Sequence, residues 1–228
     1  MKLPLITNIS VCVFDAYGTL FDVSSIVCGA EDVLEEHRAA LSELWRFKEL
    51  QYTWLRGLAV HHVDFWQISS DALEFAIDAL GIDDRGLHER LMQRYLTIQP
   101  YPEVPEVLAT LKASGIKTAI LSNGTPTMLS QAVRNAGLAS HFDAILSVEE
   151  VGVFKPHPSV YSLPGRRLAV PADKICFISA NGWDANSAKA TGLKALWCNR
   201  FGQPAERIPS LPDGEIKNLA ILPNFVKC

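Results

Sequence analysis

No block of lysine or arginine occurs in these 228 residues, and the formal net charge is −4. Polyanions are bound by clustered cations, so nucleic acid and anionic membrane surfaces are not expected partners. Nor does any apolar run approach the roughly 20 residues that a helix needs to cross a bilayer. Residues 1–10 carry one basic side chain, Thr7, Asn8 and Ser10 break their apolar stretch, and Asp15 ends it, so a signal peptide is not expected. Paired cysteine spacing of the metal-binding kind is missing too. The five cysteines (Cys12, Cys28, Cys176, Cys198 and Cys228) are odd in number and far apart. Cys12, Cys176 and Cys198 fall in apolar strand patterns and are expected as buried thiols, which fits a reducing cytoplasm. Repeats and low-complexity tracts are also absent. What remains, 48% hydrophobic and 20% charged, is the composition of an ordinary globule with room for one core and an insert.

From Leu111 onward, strand and helix patterns alternate. Strands are predicted at 117–121, 144–147, 175–178 and 195–198, and helices at 125–136, 158–168 and 184–191, with Gly137 stopping the first of these. Such alternation argues for an α/β protein whose parallel sheet is covered on both faces. Between Phe21 and about Tyr101 only helical periodicity is found. Val33, Leu34, His37, Leu41, Leu44, Phe47, Leu50 and Trp54 form one stripe, and Phe65, Ile68, Ala72, Phe75, Ala76 and Ala79 a second. The chain is therefore expected to divide into a core (1–21 and 97–228) and an inserted helical subdomain (22–96). Pro164 predicts a break near Ser162, and the Pro- and Gly-rich tail after Arg200 is expected as an ordered loop wrapping the core.

Four strand ends carry polar residues. An apolar run at 11–13 leads into Phe14-Asp15-Ala16-Tyr17-Gly18-Thr19-Leu20, which places a carboxylate at the C-terminal tip of a strand, where open α/β sheets build their sites. Ser122-Asn123-Gly124 ends the next strand with a hydroxyl, an amide and N–H groups before a helix, a cradle for carboxylate or phosphate. Lys155-Pro156 follows the third strand, and Ser179-Ala180-Asn181-Gly182-Trp183-Asp184 ends the fourth. Each has an ordinary explanation when read alone. Asp15 is then a turn residue, Lys155 a solvated lysine, Ser179 or Asn181 a helix cap, Asp184 a favourable partner for a helix dipole, and Tyr161 a core tyrosine. Their convergence at one edge of a sheet is what makes a site. His61-His62 is assigned no role, since neighbours on a helix point apart.

In order and spacing these phrases resemble the haloacid dehalogenase superfamily, and within it the L-2-haloacid dehalogenases, along essentially the whole chain. The phrases that carry the resemblance are Asp15 to Asp22, Trp45-Arg46 through Arg56, Leu121 to Gly124, Phe154-Lys155-Pro156 with Tyr161, and Ser179-Ala180-Asn181 with Trp183-Asp184. The resemblance implies a Rossmann-like core with a helical cap. It further implies conversion of short-chain (S)-2-haloacids to (R)-2-hydroxyacids, with inversion, through an ester on Asp15. By the same resemblance the catalytic residues are Asp15, Thr19, Arg46, Ser122, Lys155, Tyr161, Ser179, Asn181 and Asp184. Tyr17, Leu50, Phe65, Ser122, Asn123 and Trp183 are the substrate contacts, a small 2-haloalkanoic acid is the partner, and the assembly is a homodimer. Phosphatases of the superfamily carry aspartates where Tyr17 and Ser179 stand. Asp15 and Asp184 alone are too few oxygens for a hard dication, so neither metal nor other cofactor is expected. The alternative is a magnesium-dependent phosphatase of the same fold. Phe47 replaces a polar amide of the relatives and would dry the pocket if it faced it.

Overall fold

The computed structural model describes residues 5–28 and 35–228. Strand β1 (Val11–Phe14) is buried along its whole length, as a central parallel strand covered on both faces must be. A helical stretch follows: α1 (Ser24–Cys28), α2 (Glu35–Leu58), α3 (Phe65–Ala79), α4 (Leu87–Leu96) and α5 (Val104–Ala113). Asp64 starts α3 by accepting the Gln67 N–H, leaving one fewer unsatisfied donor at the helix end.

The predicted alternation then runs as β2 (Lys117–Ser122), α6 (Pro126–Asn135), β3 (Ala144–Ser147), α7 (Pro158–Tyr161), α8 (Leu163–Leu168), β4 (Ile175–Ser179), α9 (Gly182–Ala190) and β5 (Lys194–Cys198). Thr125 caps α6 through the Met128 N–H, and Gly137 takes the left-handed turn beyond it. The helix predicted over 158–168 is two helices. Pro164 lacks the N–H that a continuous helix would use, so α8 restarts after Ser162 with Pro164 in its first turn.

All pairings in the six-stranded sheet are parallel, in the order β3-β2-β1-β4-β5-β6, where β6 is Gly214–Ile216. The tail is therefore not all loop, as expected, but supplies an edge strand before α10 (Leu222–Phe225). Three residues in a Pro/Gly-rich setting show no period of their own, and the open edge of β5 provides their pairing. β1 sits where the strand order reverses, with Phe14 level with Ile120 and Ile178. A crevice opens at such a switch point beyond the strand tips.

The buried face of α2 differs from its hydrophobic stripe. Leu41, Trp45, Glu49 and Thr53 are buried at i+4 spacing, whereas Phe47 is 57% and Trp54 39% exposed. On α3, Phe65, Ile68, Ala72 and Ala76 are buried as expected, while Phe75 is exposed under the Lys48 ammonium, 4.0 Å from its ring centre. Val33 and Leu34 of the first stripe lie outside the described residues. Cys12, Cys176 and Cys198 are buried free thiols. Burial pushes the pKa of all three up, that of Cys198 to about 11, so none is a ready nucleophile. Among the described residues no helix is long and apolar enough to cross a membrane.

Candidate active site

Asp15 leaves β1 with its N–H still bonded to Ile178 O (2.9 Å), which fixes the start of the turn. Gly18, at φ 88°, lets the chain reverse, and its N–H reaches Phe21 O at 2.7 Å. Thr19 is brought back so that its hydroxyl donates to Asp15 Oδ2 (3.1 Å) while accepting the Ala180 N–H (2.8 Å). Asn181 Nδ2 donates to the same Oδ2 at 3.2 Å. On the other oxygen, Lys155 Nζ donates to Asp15 Oδ1 at 2.9 Å and to Asp184 Oδ2 at 2.9 Å. Tyr161 Oη completes the set by donating to Asp184 Oδ1 at 2.6 Å.

Lys155 and Asp184 are shut off from solvent, at 1% and 0% exposure. Burial alone would pull the Lys155 ammonium down, but Asp15 and Asp184 outweigh it, and its pKa stands above the usual lysine range. Burial pushes the Asp184 carboxyl up, Asp15 adds to this, and Lys155 and Tyr161 oppose it without reversing it. The Tyr161 phenol is raised by burial and then by Asp184, so it remains a neutral donor.

The remaining strand ends are held by their own side chains. Ser122 Oγ accepts the Gly124 N–H (3.1 Å), Ser179 Oγ accepts the Asn181 N–H (3.1 Å), and Asn123 Oδ1 accepts the Lys155 N–H (3.0 Å). Gly124 has to be glycine, since a Cβ there would lie 2.7 Å from the Tyr17 ring. Tyr17 stacks on Phe65 (centroids 6.2 Å apart) and meets Tyr95 edge-on at 5.0 Å; its buried hydroxyl has no partner among the described residues.

Above Asp15 lies a cavity of about 20 Å³, close to the space one water needs. Asp15, Tyr17, Ser122, Asn123, Lys155, Asn181 and Trp183 line it from the sheet side, and Arg46, Leu50 and Phe65 from α2 and α3. Thr19, Tyr161, Ser179 and Asp184 are not in its wall; Thr19, Tyr161 and Asp184 are joined to Asp15 directly or through Lys155.

The site can be set beside known proteins. The model of the haloacid dehalogenase-like hydrolases matches residues 9–192. An (S)-2-haloacid dehalogenase of Pseudomonas fluorescens is 40% identical over 220 residues, 96% of this chain and 97% of that one. The (S)-2-haloacid dehalogenase of Pseudomonas sp. (strain YL) is 42% identical over 207 residues, covering 90% and 89%. The chain belongs to the haloacid dehalogenase-like hydrolase family. A solved relative, the L-2-haloacid dehalogenase of Xanthobacter autotrophicus with chloropropionic acid covalently bound, superposes with a TM-score of 0.88 at 35% identity, covering 95% of this chain and 97% of that one.

For a haloacid dehalogenase-like hydrolase, the donor set around Asp15 does not fit a divalent cation. The Lys155 ammonium stands between the two carboxylates, and Tyr17 and Ser179 add none. No group of three or more His, Cys, Asp or Glu suited to a metal is found among the described residues. One condition is not met and one expectation is corrected. Phe47 does not face the cavity but lies on the surface of α2. His61 and His62 are not on a helix; they follow α2 in a loop, where His62 Nε2 lies 3.1 Å from Glu149 Oε2.

The sequence reading also missed two supports of the site. Arg200, in the tail, donates to Thr19 O (2.8 Å) and Glu103 Oε1 (2.7 Å), holding the turn after Asp15 from behind. Glu49 bonds Arg46 at 3.2 Å, and the i,i+3 spacing of the pair on a predicted helix was a signal available in the sequence.

Proposed function

We propose that this hydrolase removes halide from short-chain (S)-2-haloacids, giving (R)-2-hydroxyacids by way of an ester on Asp15. The observation that carries the proposal is a buried carboxylate, held by three donors, that opens onto a small cavity also lined by Arg46. The relatives' names support the substrate class, and the covalently bound chloropropionic acid of the Xanthobacter autotrophicus enzyme supports the route.

An Asp15 oxygen bonds C2 from behind as the carbon–halogen bond breaks, and the electron pair leaves with the halide. A halide needs no proton to depart, so an acid at the position of Tyr17 is dispensable. Arg46 meets the charge that appears as the bond breaks. Ser122 and the N–H groups of Asn123 and Tyr17 receive the substrate carboxylate, while Tyr17, Leu50, Phe65 and Trp183 enclose the alkyl chain and exclude water. Water beside Asn181, which lines the cavity and is itself set by Ser179, then attacks Asp15 Cγ and the acyl–oxygen bond breaks. One proton of the water goes to the leaving oxygen and the other to solvent, and the hydroxyacid leaves with the oxygen it took from Asp15. C2 is attacked once, so its configuration inverts once.

In this reading residues 22–96 act as a cap over a core made of 1–21 and 97–228, since Arg46, Leu50 and Phe65 reach the cavity from that segment. The protein acts as a cytoplasmic homodimer. A second copy covers the apolar side chains left open on and after α2 (Phe47, Leu55, Leu58 and Val60), and buried free thiols suit a reducing compartment.

Halide release from the two enantiomers of 2-chloropropionate tests the proposal. The (S) form should be consumed and yield (R)-lactate, with the (R) form untouched; no release from either would refute the activity. Prolonged EDTA treatment should leave the rate unchanged, because an ammonium holds the place between the carboxylates. Loss of the rate on chelation and its return with magnesium would favour the phosphatase reading instead.

A further inference from the structure

Glu49 lies one turn beyond Arg46 on α2, at 1% exposure. A carboxylate at that depth is costly unless its oxygens are satisfied. Ser69 Oγ of α3 donates to Oε1 at 2.6 Å, Tyr95 Oη of α4 donates to the same oxygen at 3.0 Å, and Arg46 Nη1 donates to Oε2 at 3.2 Å. The anchors are themselves fixed. Trp45 Nε1 donates to Ser69 O at 2.9 Å, and the Trp45 ring meets Tyr95 edge-on, centroids 5.6 Å apart. Three helices thus converge on one anion, and of the groups that hydrogen-bond it only Arg46 reaches the cavity.

Packing does not explain the charge, since an apolar side chain would fill the same space without being desolvated. Its effect falls on Arg46. A guanidinium offers five N–H donors in a rigid fork, and engaging one through Glu49 sets the direction of the rest. With its charge not offset, Arg46, whose side chain is only 27% exposed, would also grip the freed halide more strongly, because charges interact more strongly in a partly enclosed site than in open water.

We propose that Glu49 is a positioning residue for Arg46: it aims the free arm of the guanidinium at the departing halide and offsets its charge, so that the halide is stabilised as it forms and then released. This rests on the reading that Arg46 meets the halide.

The test uses the full chain as Glu49→Gln, Arg46→Lys and the double variant. Rapid-quench ester formation and inhibition by bromide are measured on each. Glu49→Gln keeps an oxygen for Ser69 and Tyr95 but loses the charge. It should slow ester formation about tenfold or more through misdirection of Arg46, tighten bromide inhibition about tenfold, and leave ester hydrolysis unchanged. The double variant should be no slower than Arg46→Lys, because Glu49 acts through that residue. Additive losses, or bromide inhibition that does not tighten, would overturn the inference, since a merely structural role moves neither readout in this way. If Glu49→Gln does not fold, Ser69→Ala removes one anchor and keeps the charge; ester formation should then slow with bromide inhibition unchanged, and normal rates would overturn the inference. A normal rate in Arg46→Lys would instead remove the reading on which the inference rests.

Discussion

Asp15→Asn is expected to lower halide release by at least about 10⁴-fold, the scale of losing a nucleophile. The amide keeps the shape of the side chain and its place at the tip of β1, so the fold should survive. What it loses is an anion able to displace halide. A labelling experiment on the unaltered enzyme separates this role from that of a base. In a single turnover with enzyme in excess in heavy-oxygen water, the hydroxyacid should be mostly unlabelled and the label should appear in the peptide containing Asp15. Later turnovers then pass the label to product. Fully labelled product in the first turnover, with none at Asp15, would mean that the carboxylate only activates or orients water.

Lys155→Met is expected to have the second largest effect, and it extends to stability. Lys155 Nζ is shared by Asp15 and Asp184 at 2.9 Å each, with the lysine and Asp184 almost wholly buried. Removing one partner of a buried ionic cluster costs about 3–5 kcal/mol, because the charges left behind are uncompensated. The sign with pH follows from Asp184, whose carboxyl is already raised by burial and would lose the main influence that lowers it. A carboxyl raised in the folded state binds its proton more tightly there than when unfolded. The variant should therefore gain stability as pH falls and lose it as pH rises, in the range above the ordinary aspartate value. Urea unfolding of both proteins between about pH 4 and pH 8 measures this. A variant as stable as the parent at neutral pH, with full halide release, would show that the cluster does not need its cation.

The sheet was legible because its strands are short apolar, often β-branched runs that stop at a polar residue, and buried parallel strands have that composition. The strand-end residues were legible for the same reason, since a carboxylate, amide or ammonium is conspicuous directly after such a run. α2 was harder to read. Hydrophobicity placed Phe47 and Trp54 on its inner stripe, whereas Glu49 and Thr53 lie inside. The partners that make burial of Glu49 tolerable, Ser69 and Tyr95, stand 20 and 46 residues further along the chain. No local window contains them, so a pattern based on polarity alone assigns that carboxylate to solvent. β6 escaped notice for a related reason, as its order comes from the edge of β5 rather than from its own three residues.

The two carboxyl groups that share Lys155 also set how charge moves through the site. At rest two carboxyl groups share one ammonium, and all three are enclosed. On the proposed route, ester formation would make Asp15 neutral and let the halide carry its charge out, leaving one cation, Lys155, beside one carboxyl, Asp184. Hydrolysis would then release a proton along with the hydroxyacid and restore the charge of Asp15. On that route the site is discharged by its substrate and recharged by water.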